Sequence, residues 1–154
     1  MTIDVIDAKI LEVLQENARI SYSELSKKIN LSLSAVSDRL KKMEAGGIIS
    51  SYTTILDPAA LDRQLQAFMM VNVDSSGNID DFLKVIGSAD EVLEAHFVAG
   101  DFDYILKIAT KNTATLADLV NRIKAVKSVK RTETTIILTE LKQRYSVPPI
   151  ANRL

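Results

Sequence analysis

Helix start and stop signals crowd the first third of the chain, and they constrain its fold more than any other feature. Ser21 and Glu24 have the spacing of a capping box, which predicts that a helix begins directly after Ser21. Asn30 predicts the end of that helix, because asparagine tolerates the left-handed conformation. Ser32 predicts a new N-cap, and the pair Gly46-Gly47 predicts the end of the helix that follows it.

Apolar residues at helical spacing support this arrangement. In the first and the third segment, they fall on one face of a helix. They are Ile3, Ile6, Ile10, Leu11 and Leu14 in the first segment, and Val36, Leu40 and Met43 in the third. Two short helices, a tight turn and a longer helix predict a helix-turn-helix over about residues 21–42. The β-branched run IISSYTTIL then predicts strands of a small wing, so we expect a winged helix-turn-helix domain over residues 1–56.

The third helix carries small and polar side chains away from its apolar face. Serine and aspartate can hydrogen-bond base edges, and small residues let the backbone approach the bases. Lysine and arginine neutralise phosphates. These properties predict a DNA-binding surface, formed by Ser32, Ser34, Ala35, Ser37, Asp38, Arg39, Lys41 and Lys42. The alternative is a three-helix packing module with an ordinary solvated face.

The charge balance limits how strongly one such domain can bind DNA. The chain has 19 basic and 20 acidic residues, a net charge of −1, and residues 1–56 hold seven of each sign. DNA-binding domains usually show a basic face. We therefore expect the positive charge to be concentrated locally, and the affinity to depend on more than one copy of the domain.

A second domain is predicted after Asp57-Pro58, where proline interrupts the preceding structure. Residues 57–65 are expected to form a linker. Strand and helix patterns then follow in the order β-α-β-β-α-β, which predicts a ferredoxin-like domain over residues 66–141. Residues 142–154, polar and containing two prolines, are expected to form a tail. The predicted fold class is α+β, with a winged helix-turn-helix joined to this ferredoxin-like domain.

The predicted helices of the second domain cover only one face of its sheet. The first is introduced by Gly77-Asn78 and the second is capped by Thr113. Their inward residues are expected to be Ile79, Phe82, Leu83 and Ile86 in the first, and Leu116, Leu119, Val120 and Ile123 in the second. An uncovered apolar sheet face implies a partner, and a second copy in a two-fold dimer is the simplest one.

The chain resembles the Lrp/AsnC family of bacterial and archaeal regulators along nearly its whole length. The DNA-binding half resembles the family's run LDxxILxxLxxNARxSxxELxxxxxLSxxxVxxRLKKMExxGxI, with Val5-Ile6-Asp7 for the usual Leu-Asp. Leu33 stands where the family often has proline, and Leu61-Asp62 where it often has Leu-Gly. The resemblance implies a sequence-specific transcription regulator that forms homodimers, with tetramers or octamers of dimers as the larger assemblies.

The run VAGDFDYIL resembles the family's Gly-Asp-Tyr-Asp-Tyr turn, which implies a pocket for a small amino-acid effector at a subunit interface. A carboxylate from Asp101 or Asp103 would hold the ammonium of such a ligand, and Gly100 allows close approach to backbone N–H donors. Tyr104 would supply a wall and a hydroxyl group, and Thr134 or Thr135 a contact across the interface. The alternative is an ordinary hairpin turn, since Gly-Asp is common there.

Other function classes find less support in the residues. The chain has no cysteine, one histidine (His96) and none of the common catalytic or nucleotide-binding motifs, so we expect no enzyme activity, metal site or cofactor. No apolar run approaches a membrane span and the start does not resemble a signal peptide, so we expect a cytoplasmic protein. A tetrapyrrole-modifying enzyme on the same pair of folds and an effector-independent DNA-wrapping protein are the alternatives.

Overall fold

The computed structural model describes residues 2–74 and 78–150. It divides into two compact units, and the boundary between them lies between residues 54 and 55. The described residues of the first unit are 2–54 and 142–150, and those of the second are 55–74 and 78–141. Gly77, predicted to introduce a helix, and residues 151–154 of the predicted tail lie outside the described residues.

Three helices form the first unit: α1 (Val5–Glu16), α2 (Tyr22–Ile29) and α3 (Leu33–Ala45). The predicted capping box of α2 is confirmed, with the Glu24 N–H donating to Ser21 Oγ at 3.2 Å and the Ser21 N–H donating to Glu24 Oε2 at 3.1 Å. Asn30 ends α2 in the left-handed conformation, with φ of 57°. These local signals set the two turns of the helix-turn-helix.

The first unit is held together by one apolar core. Its fully buried side chains come from all three helices and are Ile10, Leu25, Val36, Leu40 and Met43. Ile48 and Ile49 pack against this core, and their N–H groups donate to the Met43 carbonyl at 2.9 and 3.2 Å. The predicted inward face of α3 is therefore confirmed.

The predicted strands of the wing are wrong for the single chain. Residues 48–56 contain no strand, and residues 50–56 are exposed to solvent. A strand needs a neighbour to accept and donate its backbone hydrogen bonds. Ile48 and Ile49 instead direct their N–H groups to the Met43 carbonyl at the end of α3.

Residues 142–150, part of the predicted tail, are grouped with the first unit. Gln15 Nε2 on α1 donates to the Val147 carbonyl at 2.6 Å. Most residues from 142 to 150 are nevertheless exposed, Val147 among them at 79%.

The second unit is a four-stranded antiparallel sheet with two helices. Its elements are β1 (Leu65–Val73), α4 (Ile79–Ser88), β2 (Val92–Phe97), β3 (Tyr104–Thr110), α5 (Thr113–Lys124) and β4 (Val129–Ile136). The strand order β2-β3-β1-β4 is the ferredoxin-like order that the sequence predicts, so that prediction is confirmed. Strand β1 begins at Leu65, inside the predicted linker.

Both helices of the second unit pack on the same face of the sheet. Alternate residues of β1 and β3 lie beneath them, among them Met69 and Leu106, which are fully buried.

Two predictions about the helices need correction. Asn112, not Thr113, is the N-cap of α5, because its Oδ1 accepts from the N–H groups of the first turn.

The second correction concerns the inward face of α4. Phe82 and Ile86 are buried as predicted, but Ile79 and Leu83 are 37% and 45% exposed. Val85 packs against the core in their place. The buried stripe is centred on Phe82 and Ile86, and Leu83 lies on its exposed edge.

Strand register shows which side chains lie on the face opposite the helices, which we call the open face. Phe68 pairs with Lys107 and Thr135, and Met70 pairs with Ile105 and Glu133. Directly paired residues share a face, so these six side chains lie together. Near its centre Phe68 is 40% exposed and Met70 and Ile105 are half-buried, and Lys107 beside Phe68 extends to Glu94 on β2, with Nζ 3.6 Å from Glu94 Oε1.

The left-handed turn at Asn30 leads to a stability prediction. Asn30→Val places a β-branched residue at positive φ, which costs about 1–2 kcal/mol, whereas Asn30→Gly removes that steric cost. We expect thermal or urea unfolding to show a loss of this size for Asn30→Val and a much smaller change for Asn30→Gly. Equal losses for both variants would contradict the role of backbone conformation at this turn.

Candidate nucleic-acid interface and effector site

The outer face of α3 is polar and exposed along its length. Ser34, Asp38, Lys41 and Lys42 are exposed, and Val36 on the opposite side is fully buried. Ala35 and Ser37 are half-buried on the flanks. The helix therefore presents small side chains in its first turns and two lysines towards its end.

Two residues at the start of α3 differ from the predicted DNA-binding surface: Ser32 caps the helix, and Leu33, which was not predicted, is exposed. Ser32 Oγ accepts from the Ala35 N–H at 3.2 Å, so this hydroxyl group caps the helix. Leu33, the first residue of α3, is 53% exposed. An apolar side chain there is able to contact a thymine methyl group. The sequence signal for this residue is Leu33 itself, which stands where the family often has proline.

Arg39 is placed differently from the other basic residues of α3. Its Nη1 donates to Asp4 Oδ2 and Asp7 Oδ1, both at 2.7 Å. These contacts raise the pKa of Arg39, with the hydrogen bond to Asp4 as the largest cause, and they neutralise its charge locally. In this structure the Arg39 guanidinium, predicted to contact phosphate, makes an intramolecular ion pair through Nη1.

A tyrosine beyond α3 is tied to the end of the helix. The Tyr52 hydroxyl donates to Glu44 Oε1 at 2.9 Å. Partial burial, followed by this carboxylate, raises the pKa of Tyr52 to about 12. The segment that follows the helix is thus connected to it by a neutral hydroxyl donor at physiological pH.

The predicted effector residues lie in and beside the turn between β2 and β3. Gly100 and Asp101 are exposed, whereas Asp103 is half-buried. Asp103 Oδ2 accepts from the Val73 N–H at 2.8 Å, and the Asp103 N–H donates to the Val71 carbonyl at 3.1 Å. Asp103 therefore holds the end of β1 through one carboxylate oxygen, whereas the side chain of Asp101 is exposed to solvent.

Tyr104 is partly buried and packs against the core between the helices and the sheet of the second unit. Its ring centroid lies 5.1 Å from that of Phe82 and 5.3 Å from that of Phe97. Such tilted pairs are favourable arrangements of aromatic rings. Phe97 is 77% exposed, so the tyrosine is covered on one side by α4 and on the other by a side chain in contact with solvent.

The structure does not bring Thr134 to this turn within one chain. Thr134 pairs with Met69, which in turn pairs with Leu106 of β3. Strand β1 therefore separates it from β3, and two strand spacings amount to about 10 Å. The turn at Gly100 lies still further away, because it precedes Tyr104, the first residue of β3.

A shallow depression elsewhere in the second unit contains none of the predicted effector residues. It lies between α4 and the end of α5 and has a volume of about 420 Å³. Its lining residues are Asp81, Val85, Arg122, Ala125, Val126 and Lys127.

Comparison with known proteins identifies the family. Residues 3–50 match the family model for winged helix-turn-helix DNA-binding, and residues 66–147 match the Lrp/AsnC ligand binding domain. The chain belongs to the Lrp/AsnC family. It is a DNA-binding transcription regulator of this type, as the sequence predicts.

Curated relatives extend along nearly the whole of this regulator. The HTH-type transcriptional regulator FL11 of Pyrococcus horikoshii is 32% identical over 146 residues, which are 95% of this chain and 96% of that protein. The leucine-responsive regulatory protein of Haemophilus influenzae is 34% identical over 144 residues, 92% of this chain and 87% of that protein.

Solved structures of this family share the fold. A transcriptional regulator of Neisseria meningitidis in complex with L-methionine has a TM-score of 0.90 and 32% identity, covering 96% of this chain and 97% of that one. AsnC of Escherichia coli has a TM-score of 0.87 and 30% identity, covering 97% and 100%. The feast or famine regulatory protein of Mycobacterium tuberculosis, complexed with L-methionine, has a TM-score of 0.85 and 31% identity, covering 95% and 99%.

Residues 2–74 and 78–150 contain neither a candidate membrane span nor a candidate metal cluster. No helix in these ranges has the length and apolarity that a membrane crossing requires. The same residues contain no cluster of three or more His, Cys, Asp or Glu side chains arranged to hold a metal ion.

Proposed function

We propose that this Lrp/AsnC-type regulator reads DNA with the exposed face of α3. The observation that carries this proposal is the division of the helix into a buried side, including Val36 and Leu40, and an exposed side that ends in Lys41 and Lys42. A helix anchored on one side and polar on the other is suited to the major groove.

The side chains of this face divide into two kinds of contact. Ser34 and Asp38 have the hydrogen-bonding groups for base edges, with Asp38 accepting from a cytosine amine, and Leu33 adds an apolar contact. Lys41 and Lys42 are exposed and contact phosphates, which sets the position of the helix without reading sequence.

We propose that the open face of the sheet pairs with that of a second copy. Its apolar centre is formed by Phe68, Met70 and Ile105, and Glu94 and Glu133 lie towards its two edges. An apolar centre with a polar rim is the usual anatomy of a protein interface. The two-fold dimer brings two DNA-binding units to one DNA molecule, and dimers assemble further into tetramers or octamers of dimers.

We propose that an amino acid binds beside the Gly100–Asp101 turn and modulates DNA binding. The exposed Asp101 carboxylate is available for the ligand's ammonium group, and two structural relatives are complexes with L-methionine. Thr134 pairs with Met69 on the helix side of the sheet and lies two strands from β3. We propose that it reaches the pocket of another chain in the larger assembly rather than that of its open-face partner.

Removing the two exposed lysines tests the DNA-binding face. Lys41→Ala with Lys42→Ala should weaken DNA binding and lower the slope of log affinity against log salt by about 0.9 for each phosphate that is no longer neutralised. Fluorescence anisotropy over a range of salt concentrations measures both. The control is Lys124→Ala with Lys127→Ala, which removes the same charge from the second unit, at the end of α5 and just after it. Unchanged binding by the α3 variant would overturn the assignment of α3.

A second prediction concerns the effector site. Asp101→Ala should abolish the effect of L-methionine, or of another active amino acid, on DNA binding, because the ammonium loses its charged partner. The unfolding temperature should stay unchanged, since no described residue bonds to this carboxylate. The exposed Asp118→Ala on α5 is the matched control. If the response survives in Asp101→Ala, the ammonium partner is another residue. If the unaltered protein responds to no amino acid, the effector-independent DNA-wrapping alternative replaces this proposal.

A further inference from the structure

Arg39 connects the recognition helix to the start of α1 through a single nitrogen atom. Its Nη1 lies 2.7 Å from Asp4 Oδ2 and 2.7 Å from Asp7 Oδ1. The Asp7 side chain is only 8% exposed, and that of Arg39 is 30% exposed. The ion pair is thus partly shielded from solvent, where a charge pair is screened less by salt than it is at the surface.

The same two carboxylates also cap α1. Asp4 Oδ1 accepts from the N–H groups of Ile6 and Asp7, both at 2.8 Å, and Asp7 Oδ2 accepts from the Asp4 N–H at 3.1 Å. Each carboxylate therefore uses one oxygen for the capping box and the other for Arg39. The cap of α1 and the ion pair to α3 are one interlocked cluster, which we call the Asp4–Asp7–Arg39 cluster.

Because Arg39 belongs to α3, this cluster bears on the orientation of the DNA-binding face. Arg39 lies between the exposed Asp38 and the buried Leu40, on the flank of the helix. The buried side chains Val36, Leu40 and Met43 already fix which side of α3 faces the core. A directional ion pair on the flank adds a constraint on the rotation of α3 about its axis, and this rotation decides which side chains face the bases.

We propose that Arg39 is a positioning residue for DNA recognition, and that it acts by holding α3 against the capped start of α1. This inference rests on the proposed role of α3. It differs from direct phosphate binding, in which Arg39 would leave the two carboxylates for the DNA. The two roles predict opposite effects when a carboxylate partner is removed.

Neutralising either side of the cluster distinguishes these roles. A positioning role predicts that Arg39→Gln and Asp7→Asn both lower the ratio of specific to non-specific affinity by about tenfold, the size of one impaired base contact. The salt slope should stay as in the unaltered protein. A phosphate-contacting role predicts that Arg39→Gln lowers the slope by about 0.9, and that Asp7→Asn strengthens binding by releasing the arginine.

The measurement uses the full chain and two duplexes of equal length. The specific duplex is selected by the unaltered protein from a random pool, and the non-specific duplex is a scrambled version of it. The double variant Arg39→Gln with Asp7→Asn should be no worse than either single one, because residues that act as a unit are not additive.

Two further variants guard against trivial explanations. Asp4→Asn keeps a good N-cap residue and removes one carboxylate from Arg39, so it tests the idea even where Asp7→Asn fails to fold. Glu12→Gln removes a negative charge from the exposed face of α1 and should leave the ratio unchanged.

Opposite signs for the arginine and aspartate variants, or a lowered salt slope for Arg39→Gln, would overturn the positioning role. Failure of the underlying proposal has a separate signature, because then the Lys41 and Lys42 variants would leave DNA binding unchanged.

Discussion

The four-stranded sheet has its two helices on one face only, and the proposed dimer depends on this imbalance. The covered face buries Met69 and Leu106 completely, whereas the open face presents Phe68, Met70 and Ile105 to its surroundings. Burying apolar area is the main favourable term in protein association. The proposed dimer follows from this imbalance, and the arrangement of two DNA-binding units follows from the dimer.

The charge of the DNA-binding unit explains why a second copy would raise the affinity for DNA. Residues 1–56 carry no net charge, and Arg39 is engaged by Asp4 and Asp7. Only a small part of the unit, around Lys41 and Lys42, is available for phosphate contacts on α3. Linking two weak modules raises their overall affinity by about 10²–10⁴ without any new contact. The proposed assembly would therefore compensate for the small number of phosphate contacts that one copy of α3 offers.

Features set by neighbouring residues were predictable from the sequence. The capping box at Ser21 and the left-handed Asn30 depend on side chains within a few positions, and the strand order follows from the pattern of elements along the chain. The inward face of α4 was only half correct, because the position of Leu83 depends on how the helix is rotated against the sheet.

Features set by distant residues were not predictable. Arg39 meets its two carboxylates across more than thirty residues of sequence, so its position on α3 alone did not reveal this ion pair. The hydrogen bond from the Val73 N–H to Asp103 Oδ2 likewise depends on strand pairing, which the spacing of Asp101 and Asp103 does not reveal. The wing was expected from β-branched composition, which specifies an extended segment but provides no strand to pair with it.

One measurement tests the link between the open face and DNA binding. Met70→Asp places a charge at the centre of the open face, and Ala117→Asp places the same charge on the exposed side of α5. Sedimentation velocity should show monomers for Met70→Asp alone, and anisotropy should show DNA affinity reduced by about a hundredfold or more in the same variant. A monomeric Met70→Asp protein with undiminished DNA affinity would contradict the account.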